Sequence, residues 1–311
     1  MSTLRTAIAQ REFLVTAEIS PPKGTDLRRA LELAQTLKPW VHAVNLTDCS
    51  RAVLAMGSVA TAVALQQQTG IETICQMSGR DRNSLALQGD LLGGAALGLH
   101  NVLAITGDPV KAGDHPEARP VFECESVRIL RLIAQLNEGY SRNGQPLPDG
   151  GTQFLAGAAV DPQSPSWSGL SRRFEQKVAA GAAFFQSQLI CDFERLAVFM
   201  EKLGRPAGKP ILAGIFLLKS AKNARFLNKY VPGVAIPEAL IARLERAPNP
   251  LAEGIAIAAE QVQRARQVCD GVHLMAIKAE ARIPEILQRA GLTANATGQN
   301  GASLGTPALW P

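Results

Sequence analysis

Eight short apolar runs punctuate the chain, and their spacing restricts the fold more than any other feature. They are Phe13–Ile19, Ala43–Asp48, Glu72–Ser78, Asn101–Gly107, Phe154–Val160, Phe184–Ile190, Pro210–Phe216 and Gly271–Ile277. Most are continuously apolar instead of strictly alternating, the pattern of strands covered on both faces. Between them lie segments with helical periodicity. Asp26–Leu37 sets Leu27, Leu31, Leu33, Ala34 and Leu37 on one stripe, and Ala60–Gln68, Asn83–Leu97, Ser126–Leu136, Arg172–Ala180, Phe193–Leu203 and Ile236–Arg246 read similarly. Glycines follow several of these segments where a helix C-cap wants them, at Gly70, Gly98, Gly139, Gly181 and Gly204. Strand starts recur at about thirty residues, the length of one strand–helix unit. The steps before the fifth and eighth runs are longer, and loops or extra helices are expected there. Eight such units predict a single-domain (β/α)8 TIM barrel. A doubly wound open sheet competes with it, but no GxGxxG follows the first run.

The repeat assigns residues 13–292 to the barrel, 1–12 to a polar N-terminal extension and 293–311 to a flexible, Gly/Ala/Thr/Asn-rich C-terminal tail that carries Trp310. At 46% hydrophobic residues the 311-residue chain has ample material for a core. Lys and Arg exceed Asp and Glu by 32 to 27, with no basic run interleaved with aromatics. That argues against a nucleic-acid partner and fits anionic small ligands. Five scattered cysteines, none in CxxC spacing, point to a reducing compartment and away from structural zinc. No apolar signal core and no long apolar stretch is present, so a cytoplasmic protein with no membrane partner is expected.

In a barrel of this kind reactive groups gather at the C-terminal strand ends. Two runs end there in a carboxylate beside a Pro-bounded turn: Glu18 in AEISPPK, and Asp108 in ITGDP. A carboxylate at such a place costs desolvation free energy unless it is paired, hydrogen-bonded or used. The other strand ends supply Asn45 to Asp48, Gln76 to Ser78, Thr106, Gly107, Asp161, Gln186 and Gln188. This is a mouth of carboxylates and amides with no Cys/His cluster, so no metal site is expected. Spacing alone leaves other readings open. Gly107 fits a turn as well as a close approach to a flat ligand, Asp108 fits a cap, and Glu18 fits an ion pair with Lys or Arg across the mouth. Lys177 fits a solvated helical lysine, and His273, inside the eighth run, a satisfied core or near-mouth residue.

The segments AEISPPKG, NVLAITGDP, FLAGAAVDP, FEQKVAAGAAFFQSQLICD and GIFLLKS occur in the order found in the flavin-dependent methylenetetrahydrofolate reductases, and the chain resembles that family from about Phe13 to Leu292. NVLAITGDPVKAGDHPEARPVFECESV is similar to the branch whose reductase domain is often fused to a homocysteine methyltransferase. The resemblance implies a barrel that holds FAD, accepts electrons from NADH or NADPH, and reduces 5,10-methylenetetrahydrofolate to 5-methyltetrahydrofolate in one-carbon metabolism and methionine synthesis. It implies that Glu18 is the acid that protonates N10 of the folate and that Asp108 is the carboxylate beside the flavin pyrimidine and the pterin. Gln188 matches the amide that bonds the substrate ring. Asn45, Gln76, Ile105, Thr106, Gly107, Asp108, Asp161 and Lys177 match flavin-binding positions, Lys177 toward the phosphates.

The chain also departs from the family pattern. Gln76 replaces a frequent His, Ala221 an aromatic that often stacks on folate or nicotinamide, Gly157 a frequent Tyr, and Ala279 an Arg. Lys219 or Lys278 is left as the cation for an acidic folate tail. The missing stacking aromatic suggests a second reading, a reductase subunit fed by an electron-donating partner protein. A third is a non-catalytic folate- or flavin-binding regulatory protein. Barrels of this family associate, so a homo-oligomer is expected.

Overall fold

Each of the eight apolar runs forms a strand: β1 (Leu14–Ile19), β2 (Ala43–Leu46), β3 (Thr73–Ser78), β4 (Asn101–Ile105), β5 (Leu155–Val160), β6 (Phe184–Leu189), β7 (Ile211–Phe216) and β8 (Gly271–Met275). The structure is a computed structural model and describes residues 3–231 and 233–294. The strands pair in parallel and in chain order, and β8 returns to β1 with Leu14 opposite Gly271 and Ala17 opposite Leu274, closing the barrel. The helices are α1 (Thr3–Ala9), α2 (Arg28–Leu37), α3 (Ser58–Thr69), α4 (Ser84–Ala96), α5 (Ser126–Asn137), α6 (Trp167–Ala179), α7 (Phe193–Phe199), α8 (Arg205–Ala207), α9 (Ala221–Tyr230), α10 (Glu238–Arg246), α11 (Pro250–Val268) and α12 (Ile283–Arg289). The fold is the expected (β/α)8 barrel.

Near-continuous apolarity follows from burial on both faces. Alternation along the strands sends Leu14, Ala43, Ile74, Leu103, Leu155, Phe184 and Leu212 into the lumen as one cluster. The opposite faces, Val15, Ala17 and Ile19 among them, join helix residues such as Leu33 and Leu37 in the larger core. Gly157 is explained inside the lumen. A Cβ there would lie 2.3 Å from the ring of Phe184, its neighbour in the β5–β6 register, so the large ring and the missing side chain are one packing solution.

Residues 3–9 of the N-terminal extension form α1, whose Leu4 and Ala7 complete the lumen cluster. Glu72 accepts from the Thr3 backbone and hydroxyl and from the Leu4 N–H, which ties that helix to the foot of β3. Helices α9 and α11 were not separately expected, although the long step before β8 required insertions. Helix α11 carries its own start signal: the Asn249 side chain accepts from the Ala252 N–H at 3.1 Å, and Pro250 holds the first turn. Gly204 does not end its helix. The chain runs on through a π-helical turn, Met200–Gly204, into α8 and stops at Gly208 with φ +61°. At Gly204 the requirement is space, since a Cβ would stand 2.9 Å from the Met200 sulfur.

Three strands leave the sheet two residues earlier than their apolar runs suggest, so Thr47–Asp48, Thr106–Gly107 and Ala276–Ile277 belong to loops at the C-terminal rim. In β6 the register with β7 shifts between Gln186 and Leu189. Such an irregularity re-aims the intervening side chains, here Ser187 and Gln188. The expected tail falls, beyond Ala294, outside the described residues, Trp310 included.

Candidate functional site

The C-terminal mouth of the barrel rests on a neutral polar floor. Asn45 of β2 and Gln186 of β6 exchange amide hydrogen bonds across the lumen: Asn45 Nδ2 donates to Gln186 Oε1 at 2.6 Å, and Gln186 Nε2 to Asn45 Oδ1 at 3.1 Å. Gln186 Nε2 also donates to Thr16 Oγ1 at 3.1 Å, and Thr16 Oγ1 stands 3.0 Å from His273 Nδ1. All four side chains are buried, and their mutual satisfaction is what makes a polar layer inside the barrel tolerable. Asn45, expected to touch a cofactor, thus has its amide committed to Gln186.

Glu18 sits one step above this floor, in register with Asn45. Its side chain is 16% exposed, and Oε2 lies 3.9 Å from His273 Nε2. The partner across the mouth is this histidine and not the Lys or Arg that the sequence left open. Neither the Glu18–His273 pair nor the role of Thr16 was foreseen. The signal was present as polar residues at inward positions of otherwise apolar runs.

Between β2 and β3 the buried Asp48 accepts from the Ser78 N–H at 2.9 Å, the Ser78 hydroxyl at 2.8 Å and Arg82 Nη1 at 2.7 Å. Arg80, equally buried, donates to the Cys49 carbonyl at 3.1 Å and pairs with Asp81. This framework seats the turn after β4. Gly107 has φ +94°, and a Cβ there would stand 2.9 Å from Arg80 Cβ and 3.1 Å from Ser78 Cβ. Only glycine meets both demands. Thr106 Oγ1 accepts from the Ser126 N–H at 3.3 Å, joining this turn to the start of α5. Asp108 is exposed, and its Oδ2 accepts from the Arg51 N–H at 2.8 Å. Cys49, Arg51 and Ala52 all have left-handed backbones, so the carboxylate anchors a strained loop after β2. Ile105 and Gln76 are both half-buried near the rim, Gln76 inside β3.

The third part is a cavity of about 340 Å³ between the ends of β5 and β6 and one face of α6, lined by Asp161, Ser164, Arg173, Lys177 and Gln188 among others. Asp161, Lys177 and Gln188, expected at the site from separate segments, are brought together here. Lys177 Nζ donates to the Ala159 carbonyl at 2.7 Å. Burial, helped by the Arg173 charge and opposed by Glu125, pushes the Lys177 ammonium down to about 8. Burial pushes the Asp161 carboxyl up, against the Gln163 N–H and the Arg195 charge. A half-buried ammonium with the exposed Arg173 beside it, itself 3.7 Å from Glu125, leaves a cationic wall that suits an anionic group such as a phosphodiester. Lys219 Nζ donates to the Ile277 carbonyl at 2.7 Å, so this lysine stands at the rim between the loops after β7 and β8. Ala221 is buried at the start of α9 and offers no ring to the mouth. Among the described residues no group of three or more His, Cys, Asp or Glu is arranged to hold a metal ion, and no helix is long and apolar enough to cross a membrane.

A closed parallel barrel with a carboxyl above a sealed polar floor, and a cavity lined by Lys177, Arg173 and Asp161 to one side, defines a TIM-barrel protein with a polar C-terminal mouth. The family model for methylenetetrahydrofolate reductase matches residues 3–291, and the chain belongs to that family. A probable methylenetetrahydrofolate reductase (NADPH) from Caenorhabditis elegans is 24% identical over 250 residues, covering 76% of this chain and 34% of that protein. The chain thus spans about a third of the length of that curated relative. An uncharacterized Clostridium thermocellum protein that binds two copies of 5-methyl-5,6,7,8-tetrahydrofolic acid shares the fold, with a TM-score of 0.65 at 15% identity over 95% of this chain and 99% of that one. EDTA monooxygenase (EmoA) from Chelativorans sp. BNC1 shares it at a TM-score of 0.54 and 11% identity, over 93% and 96% of the two chains.

Proposed function

We propose that the chain reduces 5,10-methylenetetrahydrofolate to 5-methyltetrahydrofolate, with FAD as bound cofactor and NADH or NADPH as reductant. The observation that carries this reading is the convergence of Asp161, Lys177 and Gln188 on one cavity beside the mouth where Glu18 stands. FAD, when bound, supplies the two-electron carrier between nicotinamide and folate. The residues present fit it: Lys177 and Arg173, which line one cavity, meet the charge of a pyrophosphate. The methyltetrahydrofolate bound by the Clostridium thermocellum protein supports a folate as substrate. The five free cysteines suit a cytoplasmic setting.

Each protein group has a defined task in this reading. Glu18, protonated, gives its proton to N10, and the C–N10 bond of the five-membered ring breaks with its electron pair going to nitrogen. The product is a cationic 5-iminium, ready for hydride. Asp108 carries the negative charge that favours this cation. Gln188 orients the pterin by its amide, and Lys219 or Lys278 meets the acidic tail.

The test is an absorbance spectrum of the purified, FAD-reconstituted protein, followed by anaerobic NADH or NADPH and then methylenetetrahydrofolate. A flavin band that bleaches with the nucleotide and returns with the folate supports the reading. A flavin that ignores both nucleotides but is oxidised by folate after chemical reduction shifts it to a subunit fed by an electron-donating protein. A protein that binds no flavin overturns it.

A further inference from the structure

The floor beneath Glu18 is a hydrogen-bond chain that runs from Asn45 through Gln186 and Thr16 to the His273 ring. Gln186 Nε2 has two hydrogens, and both are committed, one to Asn45 Oδ1 and one to Thr16 Oγ1, each at 3.1 Å. Gln186 Oε1 accepts from Asn45 Nδ2 at 2.6 Å. Thr16 Oγ1 is therefore an acceptor toward Gln186 and has one hydrogen to give. Its two acceptors in reach are the Val272 carbonyl at 3.4 Å and His273 Nδ1 at 3.0 Å. Either the Val272 carbonyl takes that hydrogen and an Nδ1–H donates to the second lone pair of Thr16, or Nδ1 takes it, and the shorter contact favours the second arrangement. Nδ1 is then an acceptor, and the proton of the neutral ring sits on Nε2, which faces Glu18 Oε2 at 3.9 Å. That gap exceeds a hydrogen bond, and rotation about the terminal carboxylate torsion is the movement that would shorten it. Contacts of this kind tighten when substrate binds. Among the described residues no Lys or Arg stands within 4.0 Å of the Glu18 carboxyl, and no second carboxylate within 4.0 Å of the His273 ring. The neighbours on β2, β6 and β7 are Asn45, Gln186 and Gly214, all uncharged.

We propose that His273 is the positioning residue of Glu18, held by Thr16 as the Nε2–H tautomer so that its N–H receives the Glu18 carboxylate as the proton leaves. The Glu18 O–H bond breaks, N10–H forms, and the electron pair left on Glu18 is met by the imidazole N–H, which keeps its own proton. Glu18 regains a proton from solvent through the mouth. Direction matters as much as charge: with Oε2 engaged below, the other oxygen is turned toward the ligand. The identity of the proton acceptor rests on the reductase reading; the tautomer does not.

Two experiments test this. Long-range 1H–15N NMR of the apo protein reads the ring directly, with a protonated Nε2 and an unprotonated Nδ1 expected in the wild type and in Thr16→Ser. An Nδ1–H tautomer overturns the proposal. Single-turnover kinetics then separate two substitutions: His273→Gln can place an amide N–H near the Nε2 position, whereas His273→Asn reaches only the Nδ1 position. The folate step is expected to slow by about 10- to 100-fold in H273N and to recover most of that loss in H273Q, while flavin reduction by NADH or NADPH stays unchanged in both. Equal folate rates in the two variants, or equal losses in both half-reactions, overturn the proposal. A wild type that shows the Nε2–H tautomer but reduces no folate overturns the reductase reading, and with it N10 as acceptor, while supporting the Thr16–His273–Glu18 arrangement.

Discussion

Asn45 and Gln186, on β2 and β6, hold each other's side-chain amides across the barrel lumen through two hydrogen bonds, 2.6 and 3.1 Å long. Neither residue is free to reach into the mouth without stranding the other in a buried layer. The pair is thus part of the fold first, and it fixes the floor beneath the mouth.

Removing one partner leaves a buried amide without water, which costs about 1–3 kcal/mol beyond the lost contact. Asn45→Leu and Gln186→Leu are each expected to lose about 2–3 kcal/mol in urea denaturation, and the double variant less than the sum. If Asn45 served ligand alone, N45L would weaken flavin binding at unchanged stability.

The sequence made the barrel legible because strands buried on both faces stand out as apolar runs, and eight of them, most at a step of about thirty residues, favour closure over an open sheet. The mouth was half legible. Glu18 and Asp108 declared themselves as carboxylates that end apolar runs, and Gly107 as a glycine in a tight turn. Spacing could not show that Asp161, Lys177 and Gln188 share a cavity, because that depends on how α6 lies against β5 and β6. Thr16 and His273 meet only through the β1–β8 closure, 257 residues apart along the chain. Helix α11, by contrast, announced its start in Asn249–Pro250, a cap followed by a first-turn proline.

Lys177 links ligand binding to pH. Its ammonium is held at about 8 against an ordinary 10.5, so between those values the unfolded chain binds more protons than the folded one and stability rises with pH. At pH 7 the half-buried charge costs the apo fold up to about 3 kcal/mol. Lys177→Met is expected to raise the apo Tm at pH 7, to flatten the rise between pH 8 and 10.5, and to weaken FAD binding by about tenfold or more. Thermal melts across pH, with flavin titration at pH 7, check all three. An unchanged flavin affinity would place the phosphates elsewhere.

Gly107→Ala asks for a methyl group where 2.9 Å separates its position from Arg80 Cβ, at φ +94°. The strained backbone alone costs about 1–3 kcal/mol. Relief by moving the turn displaces Asp108 as well. The variant is expected to melt lower and to bind flavin more weakly, read by calorimetry and fluorescence titration. Wild-type values in both would show that the turn has slack.

Asp108 has two tasks that substitution can separate. As an acceptor it holds the Arg51 N–H at 2.8 Å and with it the left-handed segment that includes Cys49 and Ala52. As a charge it faces the cation formed on the folate in the proposed reaction. Asp108→Asn keeps an oxygen for Arg51 and removes the charge; Asp108→Ala removes both. D108N is expected to retain stability within about 0.5 kcal/mol and to slow the folate half-reaction by about 10- to 100-fold. D108A is expected to match that slowing, to lose a further 0.5–1.5 kcal/mol or so, and to be cut faster by protease between residues 49 and 55. Stopped-flow reoxidation, denaturant melts and limited proteolysis give the three readouts. A D108N that reoxidises at the wild-type rate would leave Asp108 as a loop anchor and shift the electrostatic role to another group at the mouth.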